Sequence, residues 1–201
     1  MVPKELSGSM RAFLPAALAL LLLPRCAGAE VTIGNLGWQV SIQVQKQKRN
    51  YHAVERWLFP PTTQVKIRPR VLVTLQNPAP GPETAIVLRY AFSARLRRIG
   101  SEGTGAWTLP FLLEETHIPN LPGKSSKEIP LPLNRVALQG YLQRMYRAGY
   151  WPDAFRVQLL VEPRSGETME KRFSEKEVAV LWKPSEDKAV RPGAAPAQET
   201  P

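Results

Sequence analysis

Residues 84–97 read TAIVLRYAFSARLR, and this stretch decides the class of fold. Apolar side chains occupy every second position, which is the period of a β-strand that is buried on one face. These positions are Ile86, Leu88, Tyr90, Phe92, Ala94 and Leu96. The opposite face carries Arg89, Arg95 and Arg97, so we expect that face to meet water. The stretch therefore predicts a long strand in a sheet with one solvated side.

The same alternation recurs on both sides of this stretch. Upstream it predicts strands over 38–45 and 64–76, and Pro69 within the second indicates a bulge or an edge position. Downstream, strands are predicted over 107–115, 128–133, 155–161 and 170–182, with a connection at 118–126 and a hairpin turn at 164–167. About seven strands at short spacing predict a mainly all-β protein, an immunoglobulin-like antiparallel β-sandwich.

One helix is predicted at about 134–148. Asn134 is a favourable N-cap residue, and Gly149 is placed to end the helix. The apolar residues between them follow at i, i+3, i+4 and i+7, so one stripe should pack on a sheet. They are Leu138, Tyr141, Leu142 and Met145. A single helical turn is also expected at 53–58, within the basic segment 46–63.

The N-terminus has the layout of a secretory signal peptide. Lys4 and Arg11 precede an apolar run over 12–23, and Ala-Gly-Ala at 27–29 provides the small residues before a cleavage site. The run is shorter than the roughly 20 residues that a membrane-spanning helix needs. A retained anchor is therefore the less favoured reading, and Arg25 disfavours lipidation of Cys26. We expect a signal peptide at 1–29, one β-sandwich domain at 30–183 and a disordered tail at 184–201.

Composition indicates where the protein acts and what it binds. The chain carries a net charge of +10, and its basic excess lies within 38–98, where 11 Lys and Arg face two acidic residues. After signal cleavage neither a cysteine nor an Asn-x-Ser/Thr acceptor remains, which favours a periplasmic or cell-surface location in a bacterium. The charge asymmetry suggests an envelope protein or an anionic polymer or glycan as partner, with lipid headgroups and nucleic acid less favoured. The alternative is that the charges are scattered and serve solubility.

Residues suited to catalysis or metal binding are sparse. His52 and His117 are far apart in sequence, and no Cys or His spacing is typical of zinc. The glutamate pairs 114/115 and 175/177 are the candidates for a hydrolase, but neighbours on a strand point to opposite faces, and the second pair is typical of a solvated strand. The glycine-rich 100–105 stretch precedes no helix that could hold a phosphate. We therefore expect no enzyme activity, no cofactor and no metal.

Aromatic residues interleaved with cations supply the candidate binding site. Such residues could stack on sugar rings while the charges hold acidic groups. The candidates are Lys46, Lys48, Arg49, Tyr51, Arg56 and Trp57, with Arg89, Arg95 and Arg97 as a neighbouring basic face and Trp151 as a further anchor. The alternative is that Trp57 and Phe59 attach a long loop to the core. Trp38, Trp107 and Trp182 are interpreted as core residues.

Two segments resemble the CARDB-type bacterial immunoglobulin-like domain. VLVTLQNP at 71–78 is a strand that ends in an asparagine turn, and IPNLPGKSSKEIPL at 118–131 contains a Leu-x-Pro-Gly segment that leads into a strand. The helix at 134–148 and the basic insert at 46–63 depart from that pattern. The resemblance implies an accessory or adhesive domain. We therefore predict an exported, non-catalytic binding domain; the alternative is a carbohydrate-binding module, and a hydrolase ranks third.

Overall fold

The protein is described by a computed structural model that covers residues 31–42, 50–61, 65, 67–163 and 169–182. The signal peptide, Cys26, Lys46, Lys48, Arg49, the turn at 164–167 and the tail at 184–201 lie outside these residues. The strands are β1 (Thr32–Ile42), β2 (His52–Ala53), β3 (Arg56–Leu58), β4 (Ile67–Asn77), β5 (Glu83–Arg98), β6 (Ala106–Trp107), β7 (Leu112–Leu121), β8 (Ser125–Pro132), β9 (Tyr150–Val161) and β10 (Phe173–Leu181), and the helix α1 is Arg135–Arg147.

Two sheets pack face to face and confirm the predicted β-sandwich. The first has the order β2-β1-β4-β8; the second has the order β3-β10-β9-β5-β6, with β7 also paired to β5. Of the seven strands of eight or more residues, β1, β4 and β8 form the first sheet and β5, β7, β9 and β10 form the second, as expected for the two antiparallel sheets of a sandwich. The pairs are antiparallel except β3 with β10, which is parallel.

The core lies between the two sheets, as the alternation of residues 84–97 predicts. Ile86, Leu88, Tyr90, Phe92 and Ala94 are all buried. Facing them, the first sheet contributes the buried odd-numbered positions of β4, from Val71 to Leu75. Apolar surface removed from water between two such layers is the main stabilising contribution to a sandwich.

Helix α1 joins the two sheets between β8 and β9, close to the predicted bounds. The Asn134 side chain accepts hydrogen bonds from the backbone N–H groups of Val136 and Ala137, which caps the first turn. Leu138 and Leu142 are fully buried. Gly149 follows the helix with a φ of +82°, a left-handed conformation that glycine adopts at little cost. In the described part of the chain, no helix has the length and apolarity to cross a membrane.

Four local predictions were wrong. Residues 53–58 form strands β2 and β3 rather than a helical turn. The strand predicted at 107–115 is divided into β6 and β7, and β7 continues to Leu121, through the first four residues of the expected connection at 118–126. Pro69 lies in the interior strand β4, in regular register with Val40. It is tolerated because β8, the strand on the other side, ends at Pro132, opposite Arg70.

Candidate functional site

The outward face of the second sheet carries the candidate site. Along β5, β7, β9 and β10 the outward residues alternate with buried core residues, so neighbouring strands bring their outward side chains into rows. One row joins Phe173, Leu160, Arg89 and Glu115, and the next joins Glu175, Gln158, Ala91 and Leu113. The two rows place apolar side chains of four strands side by side.

These apolar side chains form an open groove of about 750 Å³, here called the apolar groove. It is lined by Arg89, Tyr90, Ala91, Leu113, Glu114, Glu115, Gln158, Leu159, Leu160, Met169 and Phe173. Leu113 is 73% exposed, Met169 51% and Phe173 45%. Large apolar side chains exposed together in a concave surface are typical of an interaction site, whereas a single exposed leucine is ordinary.

The rim of the apolar groove is acidic. Glu115 and Glu162 both contact Arg89, at 3.8 Å and 3.4 Å between nitrogen and oxygen. Glu175 accepts a hydrogen bond from Gln158 and lies 3.9 Å from Arg156. Three carboxylates therefore face two guanidinium groups, so these rim charges sum to −1 in a chain that carries +10 overall.

A buried phenol lies behind the groove, on the core side of the sheet. The Tyr90 hydroxyl donates a hydrogen bond to Glu114 at 2.8 Å. Burial, together with this hydrogen bond, raises the pKa of Tyr90 to about 12, because both disfavour the phenolate. The interaction holds the Glu114 carboxylate on the core side of the sheet, opposite to the outward face.

The opposite end of the same sheet carries a different surface, here called the arginine–tryptophan cluster and composed of Arg95, Arg97, Arg156, Trp107 and Trp182. The guanidinium carbon of Arg156 lies 4.2 Å from the Trp107 ring centroid, with Arg95 at 5.5 Å from the same ring. Arg97 lies 4.0 Å from the Trp182 ring. Cation–π contacts of this kind cover the indole rings and hold the arginines in place.

A β-bulge positions Asp153 beside this cluster. The register of β5 and β9 shifts between Arg95 and Leu96, which leaves Asp153 as the extra residue. Its carboxylate accepts hydrogen bonds from the Arg95 Nε at 2.7 Å and from the Gly105 N–H at 2.8 Å. Asp153 thereby attaches the glycine-rich 100–105 loop to the sheet.

The three arginines predicted to form one basic face do not do so. Arg89 is exposed but paired with Glu115 and Glu162 at the apolar groove. Arg95 and Arg97 are half-buried at the other end of the strand. Six residues of extended strand separate Arg89 from Arg95, which corresponds to about 20 Å. The prediction that this whole face is solvated was therefore wrong, because the Arg95 and Arg97 side chains lie against the rings of Trp107 and Trp182.

Two of the predicted aromatic binding residues belong to the core. Trp57 and Trp151 are 2% and 0% exposed. The Trp151 indole N–H donates to the carbonyl of Phe59 at 2.9 Å, and Trp57 packs edge-on against Trp38. The alternative interpretation, in which Trp57 and Phe59 attach the segment to the core, is the correct one.

The other predicted core tryptophans differ among themselves. Trp38 is buried as predicted, and its indole N–H donates to the carbonyl of Lys176. Trp182 packs at the margin of the core, with its indole N–H donating to the carbonyl of Pro152. Trp107 is half-buried between Arg95 and Arg156 on the outward face, so its placement in the core was wrong.

The remaining residues of the predicted basic segment lie near the two sheet edges. Arg56 is exposed on β3, beside β10. Tyr51 is half-buried at the first sheet, where the Arg70 guanidinium lies 3.6 Å from its ring and donates to Gln39. Arg68 is two residues from Arg70 and on the same face of β4. Tyr51, Arg68 and Arg70 together form a small basic patch that the sequence analysis did not identify.

The glutamate pairs that were considered for hydrolysis are placed as ordinary strand residues. Glu114 bonds to Tyr90, while Glu115 faces the other way and contacts Arg89 and His117. Glu175 and Glu177 share the exposed face of β10. Among the residues that the structure describes, no group of three or more His, Cys, Asp or Glu side chains is arranged to hold a metal ion.

The sequence analysis did not identify the floor of the apolar groove, although the sequence contains a pattern that indicates it. Leu112–Leu113 and Leu159–Leu160–Val161 interrupt the alternation with apolar residues on both faces. Strands that are apolar on both faces are typical of sheets covered on both sides. Here the second side has no cover from the described residues.

Comparisons with known proteins yield structural likenesses to solved proteins but no family. No model of a known protein family matches the chain, and no curated protein matches it. A crystal structure of a protein from Archaeoglobus fulgidus aligns with 74% of this chain and 97% of its own, at 13% identity and a TM-score of 0.33. A likeness at that level carries no argument about fold or function.

Proposed function

We propose that this protein is an exported, non-catalytic binding domain that docks another protein of the cell envelope through the apolar groove. The observation that carries the proposal is the exposure of Leu113, Met169 and Phe173 in one concave surface. An apolar floor surrounded by polar groups is the anatomy of a protein-docking site. The residues on either side of the floor are held by regular strand pairing, so the surface is formed before a partner arrives.

The chemistry of the groove supports a binding role over a catalytic one. Its carboxylates are engaged by Arg89 and Gln158, and its floor is made of leucine, methionine and phenylalanine side chains. Apolar side chains contribute binding energy by leaving water, and they neither transfer protons nor attack a substrate.

Export is supported by the sequence of residues 1–29, and it places the partner in the periplasm or at the cell surface. N-terminal sequencing of the protein recovered from the envelope fraction of the producing bacterium tests this part. We expect the mature chain to begin at Glu30. A chain that retains residues 1–29 in the cytoplasm contradicts the proposal.

Docking through the groove is tested by site-specific photo-crosslinking. We expect a photoreactive residue at position 113 to capture a protein of discrete mass in the envelope fraction. The same residue at position 109 is the matched control, because Leu109 is 87% exposed and does not line the groove. Equal capture from both positions, or none from either, rejects the proposal.

Binding to an anionic polymer is the second candidate function, and the basic patch at Tyr51, Arg68 and Arg70 favours it. The Arg70 guanidinium is held by Gln39 and Tyr51, and neither arginine has a carboxylate within 4 Å among the described residues. Polyphosphate binding at low and high salt tests it, because contacts to a polyanion weaken steeply with salt. Arg68→Glu with Arg70→Glu should abolish binding, whereas Arg89→Glu should not. Binding that is equal in all variants rejects this function.

The carbohydrate-binding alternative lacks support. A sugar platform needs two or more exposed, coplanar aromatic rings, but Trp57 and Trp151 are buried and Tyr51 is stacked on Arg70. The aromatic residues of this protein mainly serve its core.

A further inference from the structure

We infer that the occupant of the apolar groove is a basic amphipathic helix of the partner protein. The inference rests on the proposed docking function and names the chemistry that the site recognises. Two features carry it: the acidic rim and the direction in which the apolar floor runs.

The rim selects a basic partner. Glu115, Glu162 and Glu175 lie around the floor, and they outnumber Arg89 and Arg156, the guanidinium groups that contact them. Opposite potentials across an interface accelerate association and exclude partners of the wrong sign. A segment with lysine or arginine beside its apolar residues therefore fits, while an acidic segment or an anionic amphiphile is repelled.

The floor runs across the strands rather than along one of them. Phe173, Leu160, Ala91 and Leu113 lie on β10, β9, β5 and β7, so the apolar path spans three strand spacings, about 14 Å. A helix with apolar residues at i, i+3, i+4 and i+7 extends its anchors over about 10 Å. Two to three helical turns can therefore cover this floor, as helices commonly do on the apolar face of a sheet.

An added β-strand is the less suitable occupant. A strand binds to a sheet through the backbone of an open edge and not through its face. At the β7 edge, Pro119 provides no N–H group for such pairing. The exposed apolar side chains of the groove would stay in water if a strand were added there.

The C-terminal tail of the same chain does not match the groove in composition. Residues 183–201 contain one large apolar residue, Val190, and as many acidic as basic residues. They follow β10 at Leu181, at the end of the strand opposite to Phe173. The composition of this tail therefore does not fit the apolar groove.

The test uses two synthetic helical peptides of about 14 residues with leucine at i, i+3, i+4 and i+7. In the basic peptide the remaining positions are mainly lysine, and in the acidic peptide they are mainly glutamate. Affinity for the full chain is measured by fluorescence anisotropy at low and high salt. We expect the basic peptide to bind at least about tenfold more tightly than the acidic one, with the difference reduced at high salt.

Matched variants localise the binding. Leu113→Lys should weaken the basic peptide at least about tenfold, whereas Leu109→Lys should leave its affinity unchanged, because only Leu113 lines the groove. Phe173→Gln is a second floor variant, and near-ultraviolet circular dichroism verifies that each variant is folded. The double variant Glu115→Lys, Glu175→Lys should reverse the preference and bind the acidic peptide.

Several results would overturn the inference. They are equal affinity for the two peptides, no binding of either, an unchanged affinity in Leu113→Lys, or an unchanged preference in the charge-reversed variant. A competition experiment distinguishes a failure of the helix inference from a failure of the proposed docking function. If position 113 captures a discrete envelope protein that excess basic peptide does not displace, docking stands and the helix inference fails. A captured product of twice the mass of the chain identifies a second copy as the occupant and also overturns it.

Discussion

The two ends of the outward face of the second sheet differ in whether their large apolar side chains are covered. At one end Trp107 and Trp182 are covered by Arg95, Arg97 and Arg156, so large apolar rings are shielded within the molecule. At the other end the apolar groove leaves its leucine, methionine and phenylalanine side chains in water. Both ends are built on β5 and β9, with β7 beside β5 at the groove and β6 beside β5 at the cluster.

The difference indicates which end serves stability and which serves binding. Where a surface is covered by its own side chains, a substitution removes native contacts and lowers the free energy of unfolding. Where a surface is left open, a substitution costs the native state little and affects only a partner. Four predictions test this contrast, from the largest expected effect to the smallest.

The largest effect on stability is expected from Asp153→Ala in the arginine–tryptophan cluster. The Asp153 and Arg95 side chains are only 10% and 26% exposed, so the variant leaves a half-buried guanidinium and the Gly105 N–H without their acceptor. We expect a loss of about 2–3 kcal/mol, measured by urea unfolding. Glu115→Ala, at the exposed pair with Arg89, is the control and should cost less than about 1 kcal/mol. Equal losses would remove the contrast between the two ends.

The next effect is a loss of stability at alkaline pH, caused by ionisation of the buried Tyr90. Burial and the hydrogen bond to Glu114 raise the pKa of Tyr90 from its ordinary value of 10.0 to about 12. The unfolded chain therefore loses this proton first, so the contribution to stability is complete below pH 10 and is lost as the pH rises through 12. We expect a decline of about 2 kcal/mol across that interval, measured by urea unfolding at a series of pH values.

The control for this prediction is Tyr90→Phe, which should flatten the decline without removing all of it. Burial also raises the pKa of Tyr141, so part of the slope belongs to that residue. A variant with the slope of the original protein would show that Tyr90 is not the group responsible.

A smaller effect is expected from Trp107→Leu. The change keeps an apolar side chain but removes the ring that lies against Arg156 and Arg95. We expect a loss of about 1 kcal/mol. A double-mutant cycle with Arg156→Gln measures the coupling directly, and a coupling of zero would show that the two side chains are merely adjacent.

The smallest effect on stability is expected from Leu113→Gln in the apolar groove. Leu113 is 73% exposed, so the free energy of unfolding should change by less than about 0.5 kcal/mol. Photo-crosslinking from a neighbouring groove position, Phe173, should nevertheless lose its captured partner. A large loss of stability would mean that the groove belongs to the structural half of the sheet.

Much of the fold was predictable because the information is local. The period of two in residues 84–97 identified the buried face of β5, and Asn134 with Gly149 marked both ends of α1. The strands β2 and β3 were not predictable, because two or three residues carry no period. They form only where β1 and β10 offer their edges.

The candidate site was less predictable than the fold. Composition indicated the basic segment 46–59 as the binding site. However, Trp57 within that segment is buried, and so is Trp151, which packs against Phe59. A tryptophan in a loop-like stretch has the same sequence signature whether its ring meets water or core. Arg68 and Arg70 were overlooked for the converse reason, since their strand was interpreted only through its apolar positions.

By itself the sequence determined that this chain builds an all-β sandwich with one capped helix, because alternation and capping act between residues close in the chain. Only the tertiary structure decided that Arg89 and Arg95 belong to different surfaces, and that Leu113, Leu160 and Phe173 meet in one groove. Those residues lie on different strands, and their meeting depends on strand order and register. The physical reason is that a side chain's face is set by its own strand, whereas its neighbours are set by the pairing of the whole sheet.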